Sequence, residues 1–314
     1  MSSPDPAVFP RLVVFGEALT DLIRTGPDQW RSVPGGSCWN VARVAATLGL
    51  PTAWAGAVSA DPFGQAIVEG SIAAGLDRRF VQIVDKPPLL AVVHELSPPA
   101  YFFIGNDSAD LSFDENELPA GWVDACEIAH FGCISLVREP LGSRLVALAE
   151  QLKQRGVRIS FDPNHRHLMD ARYPALFERM ARIADVLKAS EEDLAAIYPG
   201  LPLTHAIERI RTLAPTALLL ITKGRDGMQL IRGETMFEQP SFTVTVADTV
   251  GAGDASLGGF IASLLTSDNA GLQTHLRFAS ATAAVVCSRS GAHAPSRDEV
   301  LAILGGRADD DRKT

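Results

Sequence analysis

The stretch "ADTVGAGDASLGGF", residues 247–260, sets three small residues, Gly251, Ala252 and Gly253, ahead of an acid, Asp254. Upstream, "FTVTV" alternates, so Val244 and Val246 share one face of an expected strand. Downstream, Leu257, Phe260, Ile261, Leu264 and Leu265 recur at helical spacing. The stretch reads as a strand-to-helix turn stripped of bulky side chains. The first N–H groups of a helix lack internal partners and carry partial positive charge. With no side chain in the way, an anion can come close to them. The glycine spacing is not the dinucleotide fingerprint, and no Lys-Ser/Thr follows as in a Walker A loop. A carboxylate beside an anion cradle suits phosphoryl transfer to an alcohol. The carboxylate accepts the hydroxyl proton and the amides face the transferring group. Read alone, the stretch leaves a second account open, in which Asp254 is a helix N-cap and the glycines form a turn.

The rest of the chain supplies a context for that turn. It has 314 residues, 46% of them apolar and 21% charged, an ordinary globular composition with ample length for a core. The net charge of −9 disfavours nucleic acid and anionic membrane as partners. Cys38, Cys126, Cys133 and Cys287 show no metal-finger spacing and read as reduced thiols of a cytoplasmic protein. The start has no signal-peptide pattern, and no apolar run reaches the ~20 residues of a membrane span. Strand-like runs such as "RLVVFGEAL", "EIAHFGCIS", "VRISFDP", "ADVLKAS" and "ALLLITKG" alternate with amphipathic helical stretches. One helix is expected to open with Asp61 as N-cap and Pro62 in the first turn, and another to end at Gly156. The alternation predicts an α/β fold with a mostly parallel central sheet flanked by helices. Residues 22–34 and 89–104 have strand character without intervening helices and are expected to form a small antiparallel β-sheet, a lid beside the main domain. No linker divides residues 1–314, so one catalytic domain is expected.

"DTVGAGD", residues 248–254, resembles the C-terminal signature of the pfkB-type, ribokinase-like carbohydrate kinases. "PGGSCWNVARVAATLG", residues 34–49, resembles that family's N-terminal signature, and the two stand in the family's order. The resemblance covers essentially the whole chain and implies an ATP-dependent sugar kinase. It casts Asp254 as catalytic base and Gly251, Ala252 and Gly253 as the anion hole. Gly35, Gly36 and Asn40 match sugar-contacting positions, as does Asp21 in "FGEALTD". "TKGRDG" resembles the loop along the nucleotide and brings in Thr222, Lys223, Gly224 and Gly227. Ser280 falls where many members carry an Asn near adenine. "KASEED" falls where the family has Asn-x-x-Glu linked to metal-bound phosphate, so Ser190 and Asp193 take those places, Asp193 towards Mg²⁺. Ser190 and Asp193 also fit a capping box, and that reading stays open. Asp248, Val250 and Gly291 match a monovalent cation (K⁺) site of many members.

For the substrate, "FDPNHR" resembles the Asp-Pro-Asn-x-Arg motif of fructokinases and 2-keto-3-deoxygluconate kinases, with Asn164 and Arg166 turned to phosphate or sugar. "FFIGNDSADL" resembles the fructokinase lid and adds Asp110. Gly105 stands where many relatives carry Arg, the natural clamp for a carboxylate, so a neutral hexose is expected. Fructose leads and 2-keto-3-deoxygluconate follows. A nucleoside acceptor, which needs Phe102 or Phe103 over a purine, and a non-catalytic sugar-binding regulator come after. The lid edges are expected to pair in a homodimer.

Overall fold

A computed structural model describes residues 9–96, 99–267 and 269–306. The short apolar runs form a nine-stranded sheet: β1 (Leu12–Phe15), β4 (Thr52–Ser59), β5 (Val81–Val84), β8 (Ile128–Gly132), β9 (Arg158–Asp162), β10 (Val186–Ser190), β11 (Leu218–Thr222), β12 (Met228–Arg232) and β13 (Thr235–Gln239). Their order is β13-β12-β11-β10-β9-β8-β1-β4-β5. Pairing is parallel from β11 to β5 and antiparallel at β12 and β13. Central strands covered on both faces need apolar residues in succession, and β1 and β4 are buried at every position.

Helices fill both faces. On one lie α1 (Ser37–Thr47), α2 (Pro62–Ala74), α8 (Ala252–Thr266), α9 (Leu272–Cys287) and α10 (Arg297–Gly306), packed on Val14, Ile128 and Leu220. On the other lie α3 (Trp122–Ala125), α4 (Leu141–Gln154), α5 (Tyr173–Ile183), α6 (Glu191–Ile197) and α7 (Leu203–Leu213), packed on Phe15, Phe131 and Phe161. Local chemistry sets several helix ends. Asp61 accepts from the N–H groups of Phe63 and Gly64 with Pro62 in the first turn, as expected.

A second sheet has the order β3-β2-β6-β7, from β2 (Leu19–Gly26), β3 (Gln29–Gly35), β6 (Leu90–Leu96) and β7 (Pro99–Ile104). This is the expected lid, with one difference: β2 and β6 pair in parallel, because each leaves the main domain in the same direction. One correction concerns residues 242–246, expected as a strand, which form none. Their alternation has another cause: Phe242, Val244 and Val246 all line one cleft, Val246 at its exposed edge.

Candidate active site

The site lies at the carboxyl ends of the parallel strands, where open α/β sheets bind ligands. Gly251 caps α8 in the left-handed conformation (φ 78°), with no side-chain cap. Asp254 is therefore not an N-cap. It is the third residue of the helix, only 8% exposed, and points inward. Its Oδ1 accepts from Ser37 Oγ at 2.7 Å and its Oδ2 from Asn40 Nδ2 at 2.9 Å. Burial raises the Asp254 pKa, and Ser37, Asn40, Lys188 and Arg166 pull it back. A carboxylate raised towards neutrality is a stronger base at physiological pH than an exposed one.

Beside it stands a cation that the sequence reading passed over. Lys188, on β10, is 3% exposed and sits 3.0 Å from Asp162 Oδ2. A Cβ on Gly253 would lie 3.2 Å from its Nζ. The ammonium thus looks onto the first turn of α8 across a gap that only glycine leaves open. Burial lowers the Lys188 pKa, but Asp162, Asp193 and Asp254 outweigh it and hold the group charged. Burial pushes Asp162 up to about 7 in spite of Lys188.

A cleft of about 860 Å³ runs from this point between α6, α9 and the β11–β12 turn. Its near end carries Lys188, Asn164, Arg166, Ser190, Asp193 and Gly253. Its far end is apolar, with Phe242, Val244, Ala283 and Ala284 next to Ser280. Thr222, Gly224 and Gly227 line it, and Lys223 does not; Arg225 is the cation this turn brings to the cleft. Gly227 is obligatory there, since φ is 95° and a Cβ would strike the Gln239 carbonyl at 2.1 Å.

On the lid side, a Cβ on Gly35 would lie 2.6 Å from Asp21 Oδ2, so that glycine makes room for the carboxylate. Burial pushes Asp21 up to about 6, with Arg166 opposing. Arg166 donates to the His165 carbonyl at 2.8 Å, and its charge is felt by Asp21, Tyr101 and Asp254. Tyr101 also approaches His167 (ring centroids 6.1 Å apart), so the lid touches the loop after β9. Phe103 packs on Tyr101, and Phe102 is exposed. Asn164, in a left-handed turn (φ 38°), donates its N–H to Asp162 Oδ1.

Other expected residues are engaged internally. Asp110 pairs with Arg138 at 3.0 Å and accepts from Ser108. Arg138 also donates to the Gly105 carbonyl at 2.6 Å, and a Cβ on Gly105 would meet Leu89 at 2.5 Å. Ser190 and Asp193 form the capping box at the start of α6, and the second Asp193 oxygen accepts from His165 N–H at 2.7 Å. Asp248 accepts from the N–H groups of Thr249, Val250 and Gly291, tying the two loops together. Glu17, Ser37 and Lys188 escaped the sequence reading because their partners lie far along the chain. Ser37 and Asp254 are 217 residues apart.

The chain matches the family described as pfkB family carbohydrate kinase over residues 10–299. It is 31% identical over 293 residues to a fructokinase of Salmonella typhimurium, covering 89% of this chain and 94% of that one. It is 31% identical over 312 residues to a fructokinase of Klebsiella pneumoniae, covering 94% and 99%. Among solved structures, a fructokinase from Xylella fastidiosa with bound ATP shares the fold, with a TM-score of 0.86 at 24% identity, covering 95% of this chain and 98% of that one. A fructokinase from Vibrio cholerae O395 in a fructose-, ADP- and calcium-bound form gives a TM-score of 0.83 at 26% identity, covering 94% and 99%. With the strand order, the Gly-Ala-Gly turn and the buried Asp254 already in place, these matches show that the chain belongs to the pfkB family of carbohydrate kinases and has its ribokinase-like fold.

Proposed function

We propose that the protein transfers the γ-phosphoryl group of ATP to a hydroxyl of a neutral ketohexose, converting fructose to fructose 6-phosphate. The observation that carries this reading is the placement of Asp254. It is buried, held by Ser37 and Asn40, and adjacent to an open helix N-terminus faced by Lys188. Asp254 takes the proton of the sugar hydroxyl. That oxygen attacks the γ-phosphorus, the bond to the β,γ-bridging oxygen breaks, and ADP leaves. Gly251 and Gly253 present backbone N–H groups to the transferring group, Ala252, whose N–H donates to the Thr249 carbonyl at 3.2 Å, keeps the turn between them narrow, and Lys188 adds positive charge. Fixed donors of this kind in a water-poor site supply a large share of phosphoryl-transfer catalysis.

The cleft suits ATP, with apolar residues for the base at one end and Lys188 and Arg225 towards the phosphates. The chain offers no cage of three or more metal ligands among the described residues. Magnesium needs none, since with ATP it is held by phosphates, waters and one or two carboxylates. Glu192 and Asp193 are the carboxylates on the cleft wall. Bound there, the ion neutralises phosphate charge. Asp248 joins residues 249, 250 and 291, where the family resemblance expects K⁺.

Asp21, Gly35, Gly36, Asn40, Asn164 and Arg166 hold the sugar. A neutral acceptor fits because Asp21 and Asp254 both face that site, and a substrate carboxylate meets their repulsion. Arg138, next to Gly105, has its Nε and Nη2 donors committed to Asp110, Ser108 and the Gly105 carbonyl. One observation favours a second reading: Arg166 stands beside Asp21 with a guanidinium able to clamp the carboxylate of 2-keto-3-deoxygluconate. A coupled ADP-release assay with Mg-ATP separates the two. Turnover on fructose and none on the keto-acid is expected; the reverse result transfers the assignment to Arg166 and the keto-acid.

A further inference from the structure

Glu17 is a carboxylate that the reaction above does not use. It follows β1, is 1% exposed, and makes no ion pair among the described residues. An isolated buried carboxylate is costly, so its hydrogen bonds need an account. Oε1 accepts from the Ser37 backbone N–H at 3.1 Å, and Oε2 accepts from Ser135 Oγ at 2.8 Å. Ser37 is the first residue of α1, and Gly36, the N-cap, supplies no side-chain cap. Glu17 therefore satisfies an orphan N–H at the start of α1 from another element, work that a Ser or Asp at the cap position usually does. The backbone is fitted to this crossing. Gly36 has φ 111°, and a Cβ on it would lie 2.7 Å from the Glu17 carbonyl, which itself accepts from Trp39 N–H at 3.4 Å.

Ser37 is also the residue whose hydroxyl donates to Asp254 Oδ1, at 2.7 Å. Resting on the reading of Asp254 as base, we propose that Glu17 and Ser37 are positioning residues for it: Glu17 fixes the first turn of α1 so that the Ser37 hydroxyl holds the Asp254 carboxylate in one rotamer and in its ionised form. Asn40, on the same turn, holds the other oxygen. Each Asp254 oxygen keeps a lone pair for the sugar hydroxyl. The charged and titratable groups facing Asp254 are Lys188 from β10, Arg166 from the loop after β9, Glu17 after β1, Asp162 at the end of β9, and Cys38 on α1. Those facing Glu17 are Asp254, Cys133 and Cys38, with Ser135 as its neutral donor.

A hydrogen bond to the ionised form lowers the pKa of a carboxyl, so losing it moves the acid limb of the pH profile up. Loss of a neighbouring negative charge moves the limb down. The test is kcat/KM against pH for the full chain with Mg-ATP and fructose, or 2-keto-3-deoxygluconate should that be the acceptor. Ser37→Ala is expected to move the acid limb up by about one pH unit, the scale of one hydrogen bond to a charged acceptor, with KM for the sugar nearly unchanged. Glu17→Met, which leaves the Ser37 N–H unpaired, is expected to have its limb above that of Glu17→Gln, which loses the same charge but keeps an acceptor. Glu17→Gln, whose amide oxygen still accepts that N–H, stays at the wild-type limb or below it. The double variant Ser37→Ala/Glu17→Met shifts no further than the larger single change, because both act through one hydrogen bond. A Ser37→Ala profile that superimposes on wild type overturns the proposal, even if Glu17→Met fails to fold. A Glu17→Met limb at or below that of Glu17→Gln, which loses the same charge, overturns it too. Asp254→Asn, assayed in parallel, keeps the claims apart. If that variant turns over normally, the base assignment itself fails; if it is inactive while Ser37→Ala is unchanged, only the positioning role fails.

Discussion

The two glycines of the Gly-Ala-Gly turn do different work, and exchanging each for alanine separates them. Gly251 has φ 78°, and a Cβ there would come 2.9 Å from Ala292 Cβ. Left-handed backbone costs an L-residue about 1–2 kcal/mol, and the contact adds to it. Gly253 has no positive φ, lies inside α8, and would meet only the end of Lys188, at 3.2 Å from Nζ. Replacing a helical glycine by alanine gains up to about 1 kcal/mol, which offsets a shift of a few tenths of an ångström at the ammonium. Thermal unfolding of Gly253→Ala is thus expected within about 2 °C of wild type, whereas Gly251→Ala loses several degrees, on a scale of about 2–4 °C per kcal/mol. Activity follows another pattern. The Gly253→Ala methyl occupies the gap between Lys188 and the helix N-terminus, where the proposed reaction puts the transferring phosphoryl group. A fall in kcat of about 10²–10³-fold is expected in the ADP-release assay, the scale of losing one oxyanion donor. A stable Gly253→Ala enzyme with near-normal kcat would mean that no anion approaches this gap, and would refute the reading of the turn as an anion hole.

Asp21→Asn should raise the sugar KM by about 10–100-fold, the value of a hydrogen bond to a charged acceptor. It should also stabilise the free protein. Burial lifts the Asp21 pKa to about 6, above its unfolded value, so the folded state loses stability as pH rises through about 6. The Tm advantage of Asp21→Asn is therefore expected at pH 7.5 and absent at pH 4; equal Tm values at pH 7.5 contradict it. Lys188→Met leaves Asp162 buried without its counter-charge, and breaking such a pair typically costs about 3–5 kcal/mol. Lys188→Met/Asp162→Asn should recover much of that stability in a denaturant titration but not the turnover; recovered turnover would remove Lys188 from the phosphoryl site. Sedimentation at working concentration is expected to give a dimer, because Trp30 on the β3 edge and Phe102 and Ile104 on the β7 edge leave apolar surface on the lid. A monomer refutes pairing through it.

Local chemistry was readable where neighbours in sequence are neighbours in space. Asp61 with Pro62 marked the start of α2, and Gly156, at φ 87°, stands just past the end of α4. The Ser190–Asp193 capping box is a four-residue pattern, and it formed. Alternation misled at 242–246 because an extended segment that turns Phe242, Val244 and Val246 to one cleft has the same period as a sheet strand. Asp254 was singled out, but its depth was not legible, since Ser37 and Asn40 come from a helix more than 200 residues away. Asp110 was picked out by the lid resemblance as a sugar contact, but its pairing with Arg138, 28 residues on, was not legible. Glu17 and Lys188 lie among apolar strand residues, where a charge gives no sign of its direction until the strands are ordered. Both proved to face the same carboxylate.

The central claim is that Asp254 takes the proton from the acceptor sugar. Its most direct test pairs the steady-state turnover of Asp254→Asn with the affinity of the same variant for fructose, measured by calorimetry. The side chain keeps its size, and Asn40 and Ser37 still find a polar partner, so the fold and the sugar site should persist. A loss of kcat of about 10²–10⁴-fold with sugar affinity within a few-fold of wild type is the expected result, the usual scale for a positioned base. Near-wild-type turnover in that variant would contradict the account.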